Sequence, residues 1–269
     1  MQTKSAMQMA FKIFFVAVTT TLCRVAGQLL IPAGTQDVLA PSIFVANGTM
    51  PLAFTVYGVF AYGVIAALFF LIRRQMSGNR IVQGIKYGIF CSLLWCVYLL
   101  EPLPHVAAAD KITYPLADTA ALLVMGLLIG ALCGKTKSRA VMHHAFKDIK
   151  AGLCIAGCFA AGRALQYFVF DIYSSYSDRP KETLLWVLLT GLMIGICCVW
   201  VSGYVNQKNR LTKALMIGGL LFGADYALFN FFMPLVFAAD ISDLLLRTVV
   251  DSTAVTIGCL FLPQLVQQR

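Results

Sequence analysis

The chain of 269 residues is 59% hydrophobic and only 12% charged, with a formal net charge of +9 and a mean hydropathy of +0.80. Soluble domains carry about 25% charged residues, so there is too little charge here to cover a water-facing surface. Disorder is excluded by the same composition, and the remaining class is a multi-pass membrane protein.

Eight apolar runs follow in chain order, over 12–31, 51–72, 84–104, 115–134, 151–170, 183–204, 213–236 and 245–263. Each is long enough for a crossing of about 20 residues. Lipid offers backbone groups no hydrogen-bond partner, so helices are the default. The expected fold class is an all-α polytopic membrane protein with eight transmembrane helices. The first run follows Lys4 and Lys12 in the manner of a signal peptide. Arg24 lies inside it, however, and it has a counterpart in the second half, so it reads as a permanent helix.

Lysine and arginine placement sets the orientation. Fifteen basic residues fall on one side: Lys4 and Lys12; Arg73, Arg74, Arg80 and Lys86; Lys135, Lys137, Arg139, Lys147 and Lys150; Lys208, Arg210 and Lys213; and Arg269. Four fall on the other: Lys111, Arg179, Lys181 and Arg247. Both termini are therefore expected in the cytoplasm, with the protein in a cytoplasmic (inner or plasma) membrane. The basic excess reads as a topology signal and not as a nucleic-acid patch.

The two halves match at an offset of 130 residues. Asn79-Arg80 corresponds to Asn209-Arg210, Gly88 to Gly218, and Pro104 to Pro234. Val106, Ala108, Ala109 and Asp110 then correspond to Val236, Ala238, Ala239 and Asp240. At an offset of 133, Asp118-Thr119 pairs with Asp251-Ser252 and Ala121 with Ala254, while Arg24 meets Arg163 after a further shift. The expectation is two four-helix repeats, residues 1–136 and 137–269. Four crossings per repeat give both the same orientation, about an axis along the membrane normal.

Five ionisable residues fall well inside the runs: Arg24, Asp118, Arg163, Asp225 and Asp251. Each costs about 2.5–3.5 kcal/mol at the centre of a span, so each needs a partner or a watery pocket. Depth pairs Arg24 with Asp118 and Arg163 with Asp251. These pairs are either structural clamps or, with Gln28 and Gln166 beside them, a cationic site for a solute. Asp225 has Trp95 as its counterpart and no arginine left to pair with, which marks it as a candidate ion-coupling group, a proton carrier. Glu101 and Asn230 lie nearer the outer ends of their runs, as vestibule or headgroup-facing residues.

Small-residue spacing along Gly126, Gly130 and Gly134, Gly191 and Gly195, and Gly219 and Gly223 reads as helix packing. The nine cysteines lie in or beside the runs, and neither they nor His143-His144 have metal-ligand spacing. The stretch from Gly130 to Thr136 is one residue short of a P-loop and follows no strand. Asn47-Gly48-Thr49 is a glycosylation sequon only in a secretory compartment. No nucleophile–base set is identifiable, so no catalytic residue, cofactor or metal is assigned, and an enzyme is the less favoured class. The leading expectation is a transporter or permease for a small polar or anionic solute, with Arg24, Arg163, Asp118, Asp251, Gln28 and Gln166 binding it. The alternatives are a non-catalytic membrane subunit or sensor docking a partner membrane protein, and a lipid-binding or flipping protein. A homo-oligomer is compatible with either.

Overall fold

Apolar runs closed off by asparagine, proline and glycine turns satisfy their backbone internally, and the regular structure among the described residues is helical. The computed structural model describes residues 2–31, 34–135 and 145–263. Lys137, Arg139, His143, His144 and Arg269, which entered the charge and motif readings, lie outside the described residues.

In chain order the elements are α1 (Gln2–Leu30), a short α2 (Ile43–Ala46), α3 (Met50–Ile72), α4 (Arg80–Leu99) and α5 (Asp110–Cys133). Then come α6 (Ala145–Phe168), α7 (Pro180–Ser202), α8 (Arg210–Ala214), a π-helical stretch Leu215–Ala224 continuous with α9 (Asp225–Asn230), α10 (Met233–Val236) and α11 (Ile241–Cys259). Asn79 and Asn209 start α4 and α8 in the same way, each side chain accepting a backbone N–H of the first turn. Asp240 does the same for α11, accepting the Ser242 N–H at 2.8 Å.

Six helical stretches are long and apolar enough to cross a membrane: Ala6–Leu30, α3, α4, α5, α7 and Arg210–Val236. The chain is thus built as a multi-pass membrane protein. The remaining two runs also fold as long helices, α6 of 24 residues and α11 of 19. Both are interrupted by charge: α6 carries Lys147, Asp148, Lys150 and Arg163, and α11 carries Asp243, Arg247 and Asp251. The run expected to extend to 104 stops as helix at Leu99, since Pro102 and Pro104 interrupt the backbone ladder.

Within the first half, α1 packs on α3 and α5, and α4 packs on α5. Within the second, α6 packs on α7 and α11, and the π-helical stretch packs on α11. The halves meet where α4 lies against α7 and α9, and where α3 touches α9. The connections gather at one end. Ser42 bonds the carbonyls of Val236 and Leu235, Ala238 bonds Ala40, and His105 bonds Tyr173.

The closest helix pair is α4 with α5. A Cβ on Gly88 would lie 2.8 Å from the Leu122 carbonyl oxygen, and one on Gly84 would overlap the Gly126 carbonyl and the Gly130 Cα. Van der Waals contact between bare backbones replaces the hydrophobic drive that lipid removes. Gly84→Ala is therefore expected to cost about 1–3 kcal/mol, read as a lower Tm in detergent. Gly157→Ala, where a Cβ meets nothing within 4 Å, should leave Tm unchanged or raise it, because alanine favours helix by about 0.8–1.0 kcal/mol.

Candidate functional site

Where α1, α3, α4, α5 and α9–α11 converge below the gathered connections, they leave a cavity of about 350 Å³. Met50 and Tyr62 both line it. They are twelve residues apart on α3, so the cavity descends about 18 Å, near half the length of that helix. Its walls are largely apolar, with the rings of Phe54, Tyr62, Trp95, Tyr114, Phe229 and Phe232 contributing. Tyr62 and Trp95 stack with ring centroids 5.7 Å apart. Into this apolar lining project Arg24, Gln28 and Asp118 on one side and Glu101 and Arg247 on another.

Arg24 is held by both of its nearest polar neighbours. Its Nε donates to Asp118 Oδ1, and its Nη1 donates to Gln28 Oε1 at 2.9 Å. The Phe54 and Tyr114 rings lie 5.8 and 5.9 Å from the guanidinium carbon. Among the described residues Nη2 has no hydrogen-bond partner. Asp118, Tyr114 and Asp110 follow one another at four-residue steps along α5, on one face, and all three line the cavity. Asp110 accepts the Gly34 N–H at 2.7 Å.

Arg163 has a different setting. It is completely buried and does not line the cavity. Its Nη2 donates to Asp251 Oδ2 at 2.7 Å and to the Tyr226 hydroxyl at 3.2 Å, and its Nη1 donates to Glu101 Oε1 at 3.0 Å. Trp186 covers it at 4.8 Å. Gln166 Nε2 donates to the other Asp251 oxygen at 2.6 Å. The second oxygen of Glu101 accepts Arg247 Nη1 at 2.9 Å, and Arg247 Nη2 reaches the Tyr173 carbonyl. One carboxylate thus joins two guanidinium groups, and a chain of alternating charge runs from Asp251 to the surface connections.

Both pairs expected from depth are closed, Arg24 with Asp118 and Arg163 with Asp251. Arg24, Gln28 and Asp118 line the cavity, whereas Arg163, Gln166, Asp251 and Asp225 are outside its lining. The two arginines therefore do not share one open pocket. Arg247, counted from sequence among the outer connections, is 4% exposed and paired inside the bundle. Its signal was present in the four-residue spacing of Asp243, Arg247 and Asp251, which puts all three on one face of α11.

Asp225 opens α9 at the end of the π-helical stretch and is 1% exposed. Neither of its carboxyl oxygens has a hydrogen-bond partner, and the same holds for Trp95 Nε1 and the Tyr62 hydroxyl.

No protein-family model matches the chain, and no curated protein or solved structure matches it either. The site is therefore interpreted from its own chemistry.

Two consequences are measurable. Glu101→Ala removes the carboxylate shared by two buried guanidinium groups and is expected to cost about 3–5 kcal/mol; adding Arg247→Leu should recover part of the lost Tm. His105 lines the cavity mouth, bonds the Tyr173 hydroxyl at 3.1 Å, and is held by burial down at about 4 from an ordinary value of 6.5. The unfolded chain takes up this proton near pH 6.5 and the folded chain only near 4, so stability falls as pH drops through that window. His105→Gln should flatten the corresponding part of a Tm-against-pH curve.

Proposed function

We propose that the chain is a small permease of a cytoplasmic membrane, with eight crossings in two parallel four-helix repeats and both termini in the cytoplasm. Its solute is a small amphipathic carboxylate, bound in the aromatic cavity with the carboxylate against Arg24. The carrying observation is that Nη2 of Arg24 has no partner among the described residues, in the wall of a cavity whose lining is largely apolar. A charge-assisted hydrogen bond to such a donor is about twice as strong as a neutral one, and the rings supply apolar contact for the rest of the solute.

The repeat reading gains support from packing. The first helix of each half lies on the second and the fourth, and the third lies on the fourth. The same reading explains why the two arginines differ. At the offset of 130, Glu101 corresponds to Phe231. Glu101 closes Arg163, while among the described residues Arg24 pairs with Asp118 and no second carboxylate. The duplicated pair has thus divided its two expected roles: Arg163–Asp251 is the clamp, and Arg24–Asp118 is the binding site.

Asp110 lies two turns along α5 from Asp118, about 12 Å nearer the cavity mouth. With Arg24 deep and Asp110 near the mouth, the cavity favours a solute whose far end is neutral or cationic over one that is anionic at both ends. Phenylacetate and phenylalanine are suitable probes of that class.

The test is uptake of labelled phenylacetate and phenylalanine into proteoliposomes, alongside thermal shifts. Ligand at a hundred times Kd stabilises by about 2.7 kcal/mol. Arg24→Gln should lose a contact of about 1.5–3 kcal/mol and weaken probe binding tenfold or more. Exchanging the pair, Arg24→Asp with Asp118→Arg, should restore folding without uptake. Folding and uptake both restored by the exchange would make the pair a clamp and remove the binding site.

A further inference from the structure

We propose that Asp225 is a proton-binding site, screened from the cavity by the stacked Tyr62 and Trp95 rings; its part in transport rests on the permease reading, and proton binding itself does not. Tyr62 and Trp95 both line the cavity, and their rings stack on each other. Asp225 opens α9, which packs on both α3 and α4, the helices that carry these two rings. It is buried and outside the cavity lining, behind that wall.

The groups around it define what it can hold. From α4 it is faced by Tyr87, Cys91 and Trp95, and from α3 by Tyr62. Tyr87 is already committed, donating to the Ile65 carbonyl at 2.6 Å. No lysine, arginine or histidine forms an ion pair with Asp225 among the described residues. A carboxylate at this depth would thus be charged with no counter-ion and no hydrogen bond, the costliest state for a group inside a membrane protein. The carboxylic acid carries no charge.

A metal ion does not fit. Hard cations take about six oxygen ligands, and no group of three or more His, Cys, Asp or Glu residues is assembled among the described residues. Asp225 has one carboxylate, and Trp95 presents an N–H, which repels a cation and stabilises an anion. That N–H and the Tyr62 hydroxyl are both unpartnered, and they are the two donors that a deprotonated Asp225 would draw in. The step is a plain proton transfer: when the Tyr62–Trp95 stack parts to admit cavity water, Asp225 as the acid gives its proton to a water molecule, which becomes hydronium, and is left as the carboxylate. Because both donors belong to the cavity wall, loss of the proton moves the wall that touches the solute. The π-helical stretch ending at Asp225 supplies a backbone able to change its turn register, a feature such stretches often have at functional sites.

The experiment is infrared difference spectroscopy on the full chain in proteoliposomes across a pH series, with tryptophan emission recorded in parallel. The expected result is a protonated-carboxyl band near neutral pH that is lost in Asp225→Asn and kept, shifted, in Asp225→Glu. A component of the emission should change with the same midpoint and vanish in both Trp95→Phe and Asp225→Asn. A band unaltered by Asp225→Asn, or an emission change that persists in that variant, overturns the proposal. Uptake of phenylacetate is measured in the same vesicles. Absent uptake with the band present removes the permease reading and leaves the proton site standing.

Discussion

A guanidinium group cannot be left alone in a bundle of apolar helices, and much of this fold is arranged around that constraint. Arg163 is wholly buried, and its neighbours come from four directions: Glu101 after α4, Trp186 on α7, Tyr226 on α9 and Asp251 on α11. Charge pairing therefore ties the two halves together, through Glu101 of the first and Arg163 of the second. Arg247 extends the same chain of charge to the connections, through the Tyr173 carbonyl and Asp243. Breaking such a network exposes unpaired charge, which costs far more than the network itself contributes.

The contrast between Arg163 and Arg24 carries the functional reading. Both are paired with an aspartate of a later helix, and both have a glutamine nearby. Arg163 has in addition Glu101 and a tyrosine hydroxyl, and it lies outside the lining of the cavity. Arg24 has rings on either side and an open donor in a cavity wall. On the proposed reading, an ion pair that serves as a clamp in one half becomes a receptor for an anion in the other, where the second carboxylate is missing.

Much of this was legible in the sequence, for identifiable reasons. Helices followed from apolar length, and the two ion pairs followed from depth, because a charge in a span has few partners at its own level. The asparagine caps at Asn79 and Asn209 were visible as matched dipeptides. The network role of Glu101 and Arg247 was not legible. Their positions near helix ends looked solvated, and only the folding back of the 101–109 and 171–179 connections buries them. Nor did sequence separate the apolar length of α7 from that of α11, whose three charges at four-residue steps are tolerated because they face Glu101 and Arg163 instead of lipid. The closure of Arg163 away from the cavity was equally hidden, since depth gives the level of a side chain and not its direction around the helix.

The claim on which the functional reading depends is that a carboxylate sits against Arg24. Solid-state NMR on the chain in bilayers, with ¹³C-carboxyl phenylacetate and ¹⁵N-labelled arginine, measures that proximity directly. A dipolar contact within about 4 Å, the distance of an ion pair, is expected and should disappear in Arg24→Gln while persisting in Arg163→Gln. A contact that survives Arg24→Gln, or no contact to any arginine at saturating probe, would contradict it.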